Sequence, residues 1–269
     1  MIIDTHNHVY PDKVAPMVAK KMATAGFRSY GDFRFQDLLS TMDRCNIGAA
    51  VVFNIAEKPS LVQTANDFSA SVCDGQKLIG LGTIHPDCEN FEDEISRLKA
   101  MGLIGVKFSS TYQDFFADEE RMLGIYQKLC DNDMITYFHA GKDPAALTAE
   151  AKTSPQRLAR VLEIFPRLKV VAAHFGGFEM LEEVDKYLLG KELYLDTAWP
   201  PSVEVLNPEV ITRLIKKHGP EKIFFGTDYP FSNAQKQINW ILKLPIGTEA
   251  KERILWRNAN QFFGFNLPH

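Results

Sequence analysis

Residues 1–11 read MIIDTHNHVYP, an apolar start that runs directly into Asp4, His6 and His8. If this stretch is a strand, alternate side chains leave on opposite faces. Asp4, His6 and His8 then share a face, and two imidazoles within reach of a common point make half of a metal site. Taken alone, two histidines near an N-terminus are as readily ordinary surface residues. The choice depends on whether the rest of the chain brings further ligands to the same place, and so on the fold.

Outward from this first strand, short runs rich in β-branched and aromatic residues recur at 2–5, 49–54, 78–83, 105–108, 135–138, 170–173, 193–196 and 223–226. Several are apolar at consecutive positions, as suits strands of a parallel sheet covered on both faces. Helical periodicity fills the intervals. In FEDEISRLKAMG (91–102), Ile95, Leu98 and Met101 recur at three-residue steps and Gly102 is placed to end the helix. SPQRLARVLEIFPRLK (154–169) opens with a capping Ser154 and Pro155 at the first helical position, and NPEVITRLIKKHG (207–219) repeats the device with Asn207 and Pro208.

Eight strands alternating with helices from end to end predict an α/β fold, a closed (β/α)8 TIM barrel, with residues 1–269 as a single domain. No Pro/Gly/Ser-rich linker, low-complexity tract or internal repeat interrupts the pattern. The first strand is not followed by a glycine-rich phosphate loop, which argues against a dinucleotide-binding sheet. Residues 9–32 and 111–118 are too long for simple connections and are expected to cover the mouth of the active site.

Bulk properties narrow the partners. At 269 residues and 45% hydrophobic the chain can bury a substantial core, and a formal net charge of −4 leaves no basic footprint for nucleic acid. Cys45, Cys73, Cys88 and Cys130 lie far apart without CxxC spacing and read as reduced thiols. There is no basic-then-apolar secretory signal and no apolar run near the ~20 residues that span a bilayer. A cytoplasmic setting without a membrane partner is expected. Homo-oligomerisation is compatible with such a barrel, though no interface is legible.

In barrels of this kind the active site lies at the carboxyl ends of the strands. The first strand ends in His6 and His8, and the fourth carries Lys107 in GVKF. The fifth ends in His139 (YFHAG), the sixth in His174 (AAHFGG), the seventh in Asp196 (LYLDTAW) and the eighth in Asp228 (FFGTDYP). Four of the seven histidines thus fall on one rim. Each has a plainer role alone: a histidine as a hydrogen-bonded rim residue, Asp228 as a turn or cap residue before Tyr229-Pro230. Their coincidence on one rim points to a metal site.

Together these residues resemble the amidohydrolase superfamily, and more narrowly its amidohydrolase-related branch, which includes the aminocarboxymuconate-semialdehyde decarboxylase-like enzymes and many metal-dependent TIM-barrel hydrolases. The resemblance covers nearly the whole chain, from DTHNH through GVKF, HAG, HFGG and GTDYP to ILWRNANQFFGF, which is similar to the family's closing helix. It implies that His6, His8, His139 and Asp228 are metal ligands and that His174 orients or deprotonates a metal-bound water. Other branches carboxylate a fourth-strand lysine to bridge two metals. Lys107 occupies that strand, but a single metal is favoured here. Lys107 otherwise pairs with a carboxylate inside the barrel or holds an anionic substrate group.

Three imidazoles and a carboxylate suit one borderline divalent ion, with zinc the first expectation and manganese, iron or cobalt the alternatives. The expected chemistry is hydrolysis of a small-molecule ester, lactone or amide, with His174 as general base and Asp228 as ligand and proton carrier. The alternative is a non-oxidative decarboxylase of an unsaturated or aromatic carboxylic acid on the same fold and metal. A non-catalytic metal- or ligand-binding barrel is a third reading, opposed by the intact ligands and base. Trp199, Tyr112, Phe115, Phe116 and Phe231 follow strand ends and are candidates to wall an apolar pocket, with Lys107 and Trp199 the substrate-binding choices. Asp196 is read as the partner that fixes a histidine tautomer.

Overall fold

The computed structural model describes residues 1–144 and 146–267. All eight strands form: β1 Ile3–His8, β2 Ala49–Phe53, β3 Leu78–Gly80, β4 Gly105–Phe108, β5 Ile135–Phe138, β6 Lys169–Ala172, β7 Tyr194–Asp196 and β8 Ile223–Phe224. β1, β2 and β3 are neighbours in chain order in one sheet, and β4 to β8 in another. β2, β4 and β5 are buried at every position, which explains why their sequences are apolar without alternation.

The chain divides into two compact units. The first comprises Met1–Val52, Cys73–Ile79 and Asp196–His269. In it the Gly48 N–H donates to the Ile2 carbonyl (2.9 Å), Ala50 to Lys77 (2.8 Å), Thr5 to Phe225 (2.9 Å) and Thr197 to Phe224 (3.0 Å), so β1 is flanked by β2 on one side and the β8 segment on the other. Helices Ala15–Thr24, Phe35–Cys45, Pro208–His218 and Ala234–Lys243 belong to this unit. Asn207 caps Pro208–His218, its side-chain oxygen accepting the Glu209 N–H at 2.8 Å. The closing segment contains a wider π turn at Arg253–Arg257, where the Ile254 carbonyl accepts the Phe225 N–H (2.8 Å) and so fastens the C-terminal helix to β8.

The second unit comprises Phe53–Val72 and Gly80–Leu195. β4, β5 and β6 run parallel and in register, Gly105 opposite Ile135 and Ile135 opposite Lys169, and β6 pairs with β7 through Val171 and Tyr194. Helices Val62–Ser71, Phe91–Ala100, Glu120–Asp131 and Pro155–Ile164 follow the strands. Ser154 caps the last of these by accepting the Arg157 N–H at 3.3 Å. Ile95 and Leu98 of Phe91–Ala100 are fully buried, the apolar stripe of the helical pattern.

Strand ends differ from the sequence-based bounds where side chains replace backbone partners. β1 continues to His8 because Tyr229 pairs with it on both sides of Asn7. β3 stops at Gly80 and β8 at Phe224; beyond them the Thr83 N–H turns to Asn66 Oδ1 (2.7 Å), Gly226 to Thr197 Oγ1 (3.1 Å) and Thr227 to Asp4 Oδ1 (3.0 Å). No helix among the described residues is long and apolar enough to cross a membrane.

Candidate metal centre and its surroundings

The site begins with the pairing of β1 and the segment after β8. The Tyr229 N–H donates to the His6 carbonyl (3.0 Å) and its carbonyl accepts the His8 N–H (2.8 Å). The preceding Asp228 is thereby held with φ +57°, a left-handed backbone that costs a non-glycine residue about 1 kcal/mol. In return its Oδ1 lies 3.2 Å from Nε2 of His6 and 3.2 Å from Nε2 of His8. His6 Nδ1 is 2.6 Å from Asp196 Oδ2. A carboxylate only accepts, so Nδ1 donates to Asp196, and Nε2 is the ring nitrogen left to serve as a metal ligand.

Three potential ligand atoms converge: those of His6, His8 and Asp228 lie within 4.8 Å of one another, the one such group among the described residues. A buried carboxylate beside two ring nitrogens needs positive charge there, supplied by protons on the rings or by a bound cation. Neutral imidazole, carboxylate and an outer carboxylate on the far ring nitrogen are the donors of a divalent-metal site, and the residues fit one.

Electrostatics agree with that arrangement. Burial pushes the Asp228 carboxyl up, but the neighbouring His6 and His8 rings outweigh it and hold the group well below the usual carboxylate range. Asp4 shows the opposite balance: burial raises it to about 6 despite hydrogen bonds from Thr227 and the His6 N–H. Its two oxygens accept the Thr227 hydroxyl (2.6 Å), the Thr227 N–H (3.0 Å) and the His6 N–H (3.1 Å), pinning the Asp228 segment to β1. Phe231 sets its edge towards His8 at 6.1 Å between centroids and packs on Phe27 and Phe33, so residues 9–32 contribute an aromatic flank to this centre.

In the second unit His139 and His174 form an imidazole pair. His174 Nε2 is 2.9 Å from His139 Nδ1, and the other nitrogen of His139 lies 3.0 Å from the Lys142 carbonyl. The motif glycines explain how HAG and HFGG meet. Gly141 has φ +87°, and a Cβ there would sit 2.2 Å from the Phe178 nitrogen, so only glycine permits the pairing in which Phe178 and Lys142 exchange backbone bonds with Ala140 and Phe178 (2.8 and 2.9 Å). Lys107 is buried with its ammonium over the rings of Phe53 (4.8 Å) and Tyr137 (4.5 Å).

Of the expected site residues, the structure gathers His6, His8 and Asp228, with Asp196 on His6, and separately pairs His139 with His174. Trp199 is buried in the first unit, three residues beyond Asp196. Phe115 is a core residue against Phe108, and Phe116 is covered by Arg157, so neither is a free pocket wall. Sequence reasoning missed Thr227, the Tyr229–Asp37 pair and Gln237, whose Nε2 donates to the Thr197 (2.6 Å) and Gly226 (2.8 Å) carbonyls. Only Asp4, which shares the strand parity of His6, carried a signal.

A parallel β/α scaffold with paired imidazoles and a carboxylate at its strand ends defines a class of metal-dependent barrels. The family model described as Amidohydrolase matches residues 3–265, and the chain belongs to that family. A 2-amino-3-carboxymuconate-6-semialdehyde decarboxylase from Dictyostelium discoideum is 24% identical over 255 residues, covering 80% of this chain and 71% of the relative. Among solved structures, 5-carboxyvanillate decarboxylase from Novosphingobium aromaticivorans, complexed with manganese and 4-hydroxy-3-methoxy-5-nitrobenzoic acid, is similar at TM-score 0.74 and 17% identity over 98% of this chain and 96% of that one. A dihydroxybenzoic acid decarboxylase from Polaromonas sp. JS666, with manganese and 2-nitroresorcinol, is similar at TM-score 0.72 and 17% identity over 99% and 98%. The shared fold is the expected (β/α)8 barrel.

These relatives correct the expected reaction. Hydrolysis of an ester, lactone or amide was favoured because a metal-activated water is the simplest use of such a site. The relatives matched along the chain are decarboxylases instead, so the alternative is the better-supported reading. The physical reason for the error is that both reactions use the same ligands, and the rim residues of one sequence do not distinguish them.

Proposed function

We propose that this chain is a metal-dependent, non-oxidative decarboxylase of a small unsaturated or aromatic carboxylic acid. The observation that carries the reading is the convergence of His6, His8 and Asp228 in a chain that is similar to a decarboxylase over 80% of its length and to solved decarboxylases in fold. His6, His8 and Asp228 would hold one divalent ion; manganese, present in the solved relatives, takes precedence over zinc as the first trial. When bound, the ion supplies positive charge that holds and polarises oxygen atoms of the substrate.

The chain's own residues account for the rest. Asp196 keeps the His6 ring oriented through Nδ1. Loss of carbon dioxide breaks a carbon–carbon bond and leaves the electron pair on the substrate carbon, which then takes one proton; nothing is oxidised or reduced. Asp228 and His174 are the proton carriers of this reading. The roles of His139 as a further ligand and of Lys107 and Trp199 as substrate-binding residues rest on the family resemblance. Lys107, clasped by two aromatic rings, is suited to an anionic group. A single domain is supported by one family model running from residue 3 to 265, and the expected setting is the cytoplasm.

The test is to incubate manganese-loaded protein with carboxylated aromatic acids, unsaturated acids and lactones. Stoichiometric carbon dioxide with a product one carboxyl group smaller is the expected result. Water addition to a lactone without carbon dioxide would overturn the reading. Replacement of His174 by alanine is expected to abolish turnover while metal content persists.

A further inference from the structure

We propose that Tyr229 is a positioning residue that helps aim the Asp228 carboxylate, acting through a half-buried hydrogen bond to Asp37; this rests on the reading of His6, His8 and Asp228 as metal ligands. Tyr229 immediately follows Asp228, and its main chain is already committed to β1 through the His6 carbonyl and the His8 N–H. Those bonds set the height of the segment along β1. The Thr227 bonds to Asp4 hold the segment on the near side of Asp228, and the side chain of Tyr229 adds an anchor on the far side, at Asp37.

The Tyr229 hydroxyl donates to Asp37 Oδ2 at 2.7 Å, and the same oxygen accepts the Asp32 N–H at 3.2 Å. Asp37 lies in the first turn of helix Phe35–Cys45, where the free N–H groups favour a carboxylate. Tyr229 is almost wholly buried and Asp37 half-buried, so this charge-assisted bond is partly shielded from water. The space around it is closed. A Cβ on Gly31 would stand 2.5 Å from Asp37 Oδ2 and 2.6 Å from the Tyr229 oxygen, which makes glycine the residue that allows the pair to form. On the other side, the Tyr30 N–H donates to the Pro230 carbonyl at 2.7 Å.

Asp228 needs such a clamp. Its left-handed backbone persists only while its surroundings hold it, and its Oδ1 has to face two imidazoles at once. The next residue is fixed at its N–H, its carbonyl and its phenol, which restrains the backbone that carries the Asp228 carboxylate. Loss of the phenol bond leaves every ligand present but releases one of the three restraints.

The experiment titrates metal-free protein with Mn2+ by calorimetry and, separately, measures the thermal midpoint of each metal-free variant. Tyr229→Phe and Asp37→Ala are each expected to weaken Mn2+ binding by about three- to tenfold, less than the ten- to hundredfold lost when a partner bonded directly to a ligand is removed. The double variant is expected to be no weaker than the weaker single one, because both remove the same bond. Asp37→Asn keeps an acceptor and is expected to recover most of the affinity. Wild-type affinity in Tyr229→Phe with only a lowered midpoint would make the bond merely structural and overturn the inference. If Tyr229→Phe does not fold, the contrast between Asp37→Ala and Asp37→Asn decides, and equal Mn2+ affinity in those two overturns it as well. A wild-type protein that binds no Mn2+ would instead overturn the ligand reading itself, and this inference with it.

Discussion

His6 is the residue on which the site turns, because it is engaged on both ring nitrogens by carboxylates, one from the end of β7 and one from the segment after β8. Asp196 accepts the hydrogen bond of Nδ1 and Asp228 faces Nε2, so one imidazole is held at both ring nitrogens. Asp196→Asn keeps the shape of the side chain but weakens the acceptor. The expected outcome is a ten- to hundredfold loss of metal affinity with an unchanged far-ultraviolet dichroism spectrum, measured by metal titration of the metal-free protein. The ligand histidines were legible in the sequence because strand parity alone puts positions 6 and 8 on one face. Tyr229 and Asp37 were not, since an aspartate and a tyrosine separated by 192 positions share no pattern.

Among the elements, helices and strands were legible wherever local chemistry decides them. Ser154-Pro155 and Asn207-Pro208 do start helices, and each cap side chain takes an N–H of the first turn. What was not legible is where connections are stapled. Asp118, at the end of the segment after β4, accepts hydrogen bonds from Arg157 and Arg160 of helix Pro155–Ile164. Burial raises its carboxyl, but the two guanidinium groups prevail and the net shift is downward. A depressed folded-state value means stability that is complete above the unfolded value of about 3.9 and is lost as pH falls through the folded value. Asp118→Asn is therefore expected to cost about 1 kcal/mol at neutral pH. Urea denaturation at a series of pH values should show that difference shrinking towards zero below pH ~4. A constant difference across the series would remove the ion-pair explanation.

For the whole molecule, metal and stability are linked. A ligand that binds the folded chain alone stabilises it by about 2.7 kcal/mol at a hundredfold excess over its Kd, equivalent to a rise in Tm of roughly 5–10 °C for a chain of this size. Manganese is expected to produce such a rise in the wild type and none in His6→Ala, as read by thermal scans with and without the ion. By itself, the sequence determined the eight-strand alternation, the order of motifs along it and the parity of the paired histidines. Each of these follows from short-range rules of strand, helix and turn that neighbouring residues obey. The tertiary structure alone decided which carboxylate meets which imidazole, why Gly31 and Gly141 have to lack a side chain, and how Tyr229 is held. Those contacts join positions far apart in the chain, and they arise from distance and burial, which a linear order does not encode.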